Sequence, residues 1–302
     1  SLYLSGYHGR DELKYSDLFS LSWSNSTATA RLSHRFTDKI TSNSSLIYSR
    51  FNYNAGVSSE QTDFQVASTI ENVEAKQDIS YYVNEQHIVR AGASLLLQRI
   101  RPANLSSDIN QSVNPTAMEN QRGLDLGGYL LHEWKPTDRI SLNYGIHMHD
   151  FMVLGPRTFY QFDQAGKPIA EKRDESRIAK HYINLEPRFS ASLMLDERSS
   201  LKASYNRIVQ NLHQLTNTTA SLPTDQYVLS SLNIKPQRVD QAAFGYFRTF
   251  ENKGYEFSVE AYYKRLGNQI DVRNGATLQA DAYFEGELLF GIGRAYGLEG
   301  HL

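Results

Sequence analysis

His147 and His149 stand two residues apart in a segment that alternates apolar and polar residues. In extended chain that spacing points both imidazoles the same way. Such a pair could bind a metal ion or a haem-like group. The sequence shows no third ligand beside them, and the plainer reading is a polar interior lining. A second group lies in the stretch 154–178, where Arg157 and Tyr160 precede a mixed run of Lys167, Glu171, Lys172, Arg173, Asp174, Glu175 and Arg177. Arg157 could take an anion, although mixed charge of this kind also suits a solvated loop. Tyr227 stands among Ser and Thr residues in the stretch 214–236, and loop aromatics stack on flat or sugar-like groups. Catalysis finds less support. Glu256 and Glu260 share a strand face and could do acid–base work, but as neighbours on one long strand they read as lining. No Gly-x-Ser-x-Gly elbow occurs. The chain is not expected to be an enzyme or to carry a cofactor.

The elements that must position these residues are strands. The chain has 302 residues and a formal net charge of −2, too balanced for the basic stripe that nucleic acid requires. It has no cysteine, so disulfides and thiolate chemistry are excluded. Tyr 19 and Phe 14 stand beside Trp 2, a balance suited to strands whose rings sit where apolar meets wet. Phe151, Met152, Val153 and Leu154 form the longest unbroken apolar run, far short of the roughly 20 residues of a membrane helix. A barrel strand needs only every second residue apolar. The opening Ser1-Leu2-Tyr3-Leu4 has neither the basic region nor the cleavage site of a signal peptide.

The dominant period is two. Ile140, Leu142, Tyr144, Ile146 and Met148 oppose Ser141, Asn143, Gly145, His147 and His149. The same split recurs for Leu185, Pro187, Phe189, Ala191 and Leu193, and for Tyr255, Phe257, Val259, Ala261 and Tyr263. It recurs again for Val89, Ala91, Ala93, Leu95 and Leu97, for Val73, Ala75, Ile79 and Tyr81, and for Ala28, Ala30, Leu32 and Phe36. Residues 46–53 and 124–134 put apolar groups on both faces, so no face is assigned there. Tight turns are expected near Thr37-Asp38-Lys39, Asn84-Glu85-Gln86, Pro136-Thr137-Asp138, Asp196-Glu197-Arg198 and Glu251-Asn252-Lys253-Gly254. Between them lie longer polar connections at about 9–20, 54–61, 101–121, 154–178, 214–236 and 267–292. Regular alternation of short and long connections is the layout of an outer-membrane barrel. The fold expected is all-β: an antiparallel transmembrane barrel segment of about twelve strands over 1–302. Both ends read as cut inside a strand, so the closing strands and any preceding domain are expected to lie outside this chain.

Trp23-Ser24-Asn25-Ser26-Thr27-Ala28-Thr29-Ala30 followed by Ser44-Ser45-Leu46-Ile47-Tyr48-Ser49-Arg50-Phe51-Asn52-Tyr53 carries a family likeness, as does Gly293-Arg294-Ala295-Tyr296-Gly297-Leu298-Glu299, and two further stretches carry it too. One is Asn184-Leu185-Glu186-Pro187-Arg188-Phe189-Ser190 running into Ser200-Leu201-Lys202-Ala203-Ser204-Tyr205-Asn206-Arg207. The other is Leu222-Pro223-Thr224-Asp225, then Ile234-Lys235-Pro236-Gln237, then Tyr255-Glu256-Phe257-Ser258-Val259-Glu260-Ala261-Tyr262-Tyr263-Lys264. The sequence resembles the barrel of Bacteroidetes-type TonB-dependent outer-membrane receptors over most of its length. That resemblance implies a 22-stranded barrel filled by a plug, and import of a siderophore, cobalamin, glycan or peptide energised through TonB. It implies outer-membrane lipid, the TonB complex and the nutrient as partners, and the bacterial outer membrane as location. Family receptors capture ligand on extracellular loops, which makes Tyr160, Tyr227 and Arg157 contact candidates. The alternatives are a passive porin or adhesin-type barrel without TonB coupling, and a soluble all-β binding or carbohydrate-active protein.

Overall fold

A computed structural model describes residues 1–15, 19–58, 63–106, 118–216, 225–250, 254–276, 278 and 281–302. Twelve long strands form one antiparallel sheet. They are β1 (Leu2–Tyr15), β2 (Phe19–Arg35), β3 (Ile40–Ser58), β4 (Asp63–Tyr82), β5 (His87–Ser106), β6 (Gln121–Thr137), β7 (Ile140–Leu154), β10 (Ile178–Asp196), β11 (Ser199–Gln210), β14 (Gln237–Phe250), β15 (Tyr255–Val272) and β16 (Leu288–His301). Strands pair in chain order, with β1 and β16 at the edges. Two hairpins are inserted: β8 (Arg157–Phe162) with β9 (Pro168–Asp174), and β12 (Leu212–Leu215) with β13 (Gln226–Leu229). A 3-10 turn, Phe284–Glu287, precedes β16. No helix among the described residues is long and apolar enough to cross a membrane, which says nothing of crossing by strands.

The short turns close through side chains that accept from the backbone, the reason Thr, Asn and Asp occur there. Thr37 Oγ1 accepts from the Lys39 and Ile40 amides at 3.2 and 3.1 Å. Asn84 Oδ1 accepts from Gln86 and His87, both at 2.9 Å. Thr137 Oγ1 serves Arg139 and Ile140, and Asp196 Oδ1 serves Arg198. Of the fifth turn, Glu251, Asn252 and Lys253 lie outside the described residues, and Gly254 takes φ 66°.

The long connections contain more strand than the sequence suggests. β1 runs to Tyr15 and β2 starts at Phe19, so most of the expected loop 9–20 is paired strand. β3 likewise extends to Ser58, β5 to Ser106, β15 to Val272, and β16 begins at Leu288. Polar side chains there hid the strands, because a backbone ladder needs no apolar face once it leaves a hydrocarbon layer. Residues 59–61 of the second connection, 107–117 of the third and 217–224 of the fifth, including Leu222, Pro223 and Thr224, lie outside the described residues.

Cross-strand register puts every apolar face identified in the sequence on one side of the sheet. Leu4, Ala30, Leu46, Ala75, Leu95 and Leu126 are successive partners. So are His132, Tyr144, Phe189, Tyr205, Ala242, Tyr263 and Tyr296. On β5, β7, β10 and β15 this apolar stretch is nine residues tall, close to the roughly 9–11 residues that span a bilayer. Leu46, Ile146 and Leu185 remain 56%, 47% and 51% exposed. Gln77 breaks the face on β4 but is satisfied within it: its Nε2 donates to Ser42 Oγ at 2.7 Å, and Ser44 Oγ donates to its Oε1 at 2.5 Å. Towards the long connections the same face turns charged. Arg50, Glu71, Arg99 and Arg122 are successive partners there, as are Arg207, Asp240, Arg265 and Arg294.

The opposite face is polar at mid-strand, where Tyr129 Oη donates to Asp78 at 2.6 Å and Arg90 pairs with Glu133. Near the long connections it becomes apolar and buried. Ile70, Ile100, Phe151 and Val153 pack there with Phe159 and Leu229 from the inserted hairpins. The two ambiguous segments are thereby resolved. Leu46 and Tyr48 belong to the exposed apolar face, whereas Phe51 packs against hairpin residues and Tyr53 is buried beside Val66. In β6, Leu124, Leu126 and Leu130 share the exposed face while Tyr129 and Leu131 point the other way. With the sheet in a bilayer, Val259→Arg on the apolar face should cost about 2–4 kcal/mol, while Ser258→Arg on the polar face should be tolerated. Denaturant titration of the intact protein folded into lipid vesicles measures both.

Candidate functional site

The inserted hairpins and the 3-10 turn build a cap over the polar face at the long-connection end. Polar contacts hold it to the sheet. Leu229 N donates to Gln121 Oε1 at 2.7 Å, and Tyr182 Oη donates to the Ser231 carbonyl at 2.6 Å. Glu119 accepts from the Thr158 amide at 2.8 Å and from Arg173 Nη1 at 2.7 Å.

Arg157 and Tyr160 meet in a cleft of this cap, with Glu285 on its wall. Arg157 is 6% exposed. Its Nη2 reaches Glu285 Oε1 at 3.3 Å, and its guanidinium stands 5.4 Å from the Phe159 ring centre. The other two guanidinium nitrogens, Nε and Nη1, are buried without a partner among the described residues. Asn233 Nδ2 donates to Glu285 Oε2 at 2.6 Å and to the Tyr160 carbonyl at 3.0 Å, tying the hairpin to the 3-10 turn. The Tyr160 ring meets Tyr283 edge-on at 4.9 Å, and burial raises its hydroxyl pKa. Tyr227 lies elsewhere, on β13, with its ring edge-on to Phe51 at 6.4 Å; burial raises its hydroxyl as well. Two of the three expected ligand contacts therefore share one cleft, and the third packs in the buried cluster beneath the cap. The stretch 154–178 contains a hairpin whose first strand, β8, buries alternate residues, while β9 and the charged run from Lys167 to Arg177 stay almost wholly solvent-exposed, as expected. Asn233, Tyr283 and Glu285 carry no signal in the sequence, because they join the cleft only through contacts across tens of residues.

The histidines sit on the polar face of β7, away from the cap. Register places Glu186 of β10 directly opposite His147 and Gly127 of β6 opposite His149. His149 Nε2 lies 3.0 Å from His147 Nδ1, and His149 Nδ1 lies 3.0 Å from Asp125 Oδ1. Glu186 Oε2 is 3.9 Å from His147 Nδ1, and its side chain is only 4% exposed. Glu186 is a third potential ligand beside the pair. It lies 37 or 39 residues away in sequence and comes to the pair only through strand register.

The whole-chain comparison fits this architecture. The model of the family described as TonB-dependent receptor-like, β-barrel, matches residues 2–300. The chain belongs to that family. Receptors of this family are transporters of the outer membrane of Gram-negative bacteria. Among solved structures, the hemophore receptor HasR of Serratia marcescens is similar at 12% identity and TM-score 0.63, covering 99% of this chain and 49% of that one. The copper transporter OprC is similar at 10% identity and TM-score 0.70, covering 99% and 48%. The ferric-catecholate receptor Fiu of E. coli K12 is similar at 12% identity and TM-score 0.59, covering 94% and 45%. Identity this low carries the fold alone, and the chain spans about half the length of these structures. No curated protein sequence matches it.

Two outcomes follow for the cap of this receptor barrel. Glu285→Ala leaves the buried Arg157 guanidinium uncompensated, so it should destabilise the cap by about 3–5 kcal/mol, seen as faster proteolysis within 157–174. His213 of β12 is 1% exposed, and burial pushes its imidazole down to about 4 from its ordinary 6.5. The unfolded chain therefore takes up the proton first. The stability that neutral His213 carries is complete above about pH 6.5 and is lost as pH falls through about 4. Protease resistance of the cap should fall across that window, and His213→Asn should flatten the dependence.

Proposed function

We propose that this chain is part of the barrel of an outer-membrane receptor that imports a scarce nutrient with energy delivered through TonB. The observation that carries the reading is the family match over residues 2–300. In this reading the exposed apolar face meets lipid, the polar face lines a lumen that holds a plug, and the edges β1 and β16 continue into further strands of a barrel of about 22. The preceding plug domain makes the contact with TonB. A siderophore, cobalamin, glycan or peptide is the cargo class. HasR and Fiu are named for a hemophore with haem and for ferric catecholate, which makes a ferric chelate the first ligand to try. The cap provides the outward-facing contact surface, with Tyr160 and Arg157 in its cleft and Tyr227 beneath.

Uptake of labelled ferric siderophores, cobalamin, oligosaccharides and peptides by cells carrying the full-length receptor tests this. Uptake of the recognised ligand should stop when TonB is deleted or the proton gradient is collapsed, while surface binding persists. Undiminished uptake would instead support a passive porin. Tyr160→Ala should weaken binding by about 0.5–1.5 kcal/mol, the worth of one aromatic contact.

A further inference from the structure

The geometry points to a divalent transition-metal site on the polar face of the barrel, with His149 Nε2, His147 Nδ1 and Glu186 Oε2 as ligands and Asp125 orienting His149. This site is separate from the cap, and it does not depend on which nutrient the receptor carries.

Donor type and convergence come first. Two imidazole nitrogens and one carboxylate oxygen all lie within 4.8 Å of one another. The set is two nitrogens and one oxygen, the kind that suits zinc or copper better than the oxygen-only cages of magnesium and calcium. The two nitrogens are 3.0 Å apart. Two ligands about 2.0–2.1 Å from a tetrahedral zinc stand about 3.3 Å apart, so the imidazoles already hold nearly the spacing a metal needs. Glu186 stands 3.9 Å from His147 Nδ1 and the whole set falls within 4.8 Å, so its carboxylate has to move in towards both imidazoles to bind the same ion. A fourth position is left to water or to a ligand in the lumen.

The second support is the protonation pattern. Asp125 as a carboxylate can only accept, so the His149 Nδ1 that faces it at 3.0 Å carries the proton. With Nδ1 so occupied, His149 Nε2 is the acceptor in its 3.0 Å contact with His147 Nδ1, and a metal ion would take the place of the proton between them. A carboxylate that fixes the tautomer of a metal-binding imidazole is the usual outer partner of such sites. Gly127 makes the arrangement possible. A Cβ at that position would lie 3.0 Å from His149 Cε1 and 2.5 Å from Ser94 Oγ, so a side chain there would crowd both the ring and the Ser94 hydroxyl.

One contact works against a cation. Arg188 Nη2 donates to Glu186 Oε2 at 3.1 Å. Glu186 Oε1 meanwhile accepts from Val209 N at 3.0 Å, which pins the carboxylate in place. A carboxylate offers about four lone pairs, so Oε2 keeps one free. Arg188 is 47% exposed and can turn aside, and Asp125 and Glu186 together outweigh its charge.

The test uses the purified full-length receptor in detergent, titrated with Zn²⁺ alone by calorimetry. About one equivalent should bind, and His147→Ala or His149→Ala should weaken it at least tenfold. Asp125→Asn should weaken it about 10–100-fold with all ligands in place, as outer partners do. His34→Ala, on the apolar face, is the control and should change nothing. Cu²⁺ electron paramagnetic resonance on the unaltered receptor should show two coordinated nitrogens, a readout that survives even if a variant fails to fold. No zinc binding by the unaltered receptor, equal binding by the histidine variants, or a copper signal without two nitrogens would each overturn the site.

Discussion

Everything in this molecule depends on cross-strand register. Side chains alternate with a period of two, so a slip of one residue between neighbours would move a whole set of side chains to the other face. Ile146 would then face the polar side and His147 the apolar one. Twelve strands hold a shared register from β1 to β16, with few irregularities. That is why apolar faces far apart in sequence become one surface. The turns fix it locally. Thr37, Asn84, Thr137 and Asp196 each tie down the backbone just beyond them, so each hairpin starts from a defined pair.

From register follow two surfaces with opposite physics. On the apolar face Leu46, Ile146 and Leu185 each stay about half exposed. An apolar area of that extent needs a non-aqueous neighbour, and a bilayer fits its nine-residue height. On the polar face Arg90 pairs with Glu133 and Arg188 with Glu186. At its long-connection end that face changes character again, because the inserted hairpins need something to pack on. Phe151 and Val153 supply it. The longest apolar run in the sequence is thus a place where both faces of a strand are covered.

The twelve-strand antiparallel sheet and the facing of most of its long strands were legible in the sequence because period two is a local signal that needs no partner; residues 46–53 and 124–134, apolar on both faces, were not. The turns at Thr37, Asn84, Thr137 and Asp196 were legible for the same reason. The extent of the strands beyond the apolar band was not. Residues such as Arg10, Asp11 and Glu12 pair fully with β2 while showing no apolar alternation. The inserted hairpins were also missed, since segments of four to seven residues are too short for periodicity to stand out. Of the candidate residues, the sequence could name His147 and His149 from spacing alone. It could not supply Glu186, Asp125 or the glycine that lets them meet, which come from two other strands.

The sequence by itself determined the class of structure: an antiparallel sheet with one face for an apolar medium and one for a polar interior. Those properties follow from the order of residue types along a single strand. Only the tertiary structure decided what the chemistry-bearing residues touch. It placed Arg157 beside Glu285, tied Asn233 to Tyr160, seated Tyr227 on Phe51, and brought Glu186 to the histidines. Each of those contacts joins residues 37 or more positions apart, and a distance of that kind is set by how strands align rather than by anything written locally in the chain.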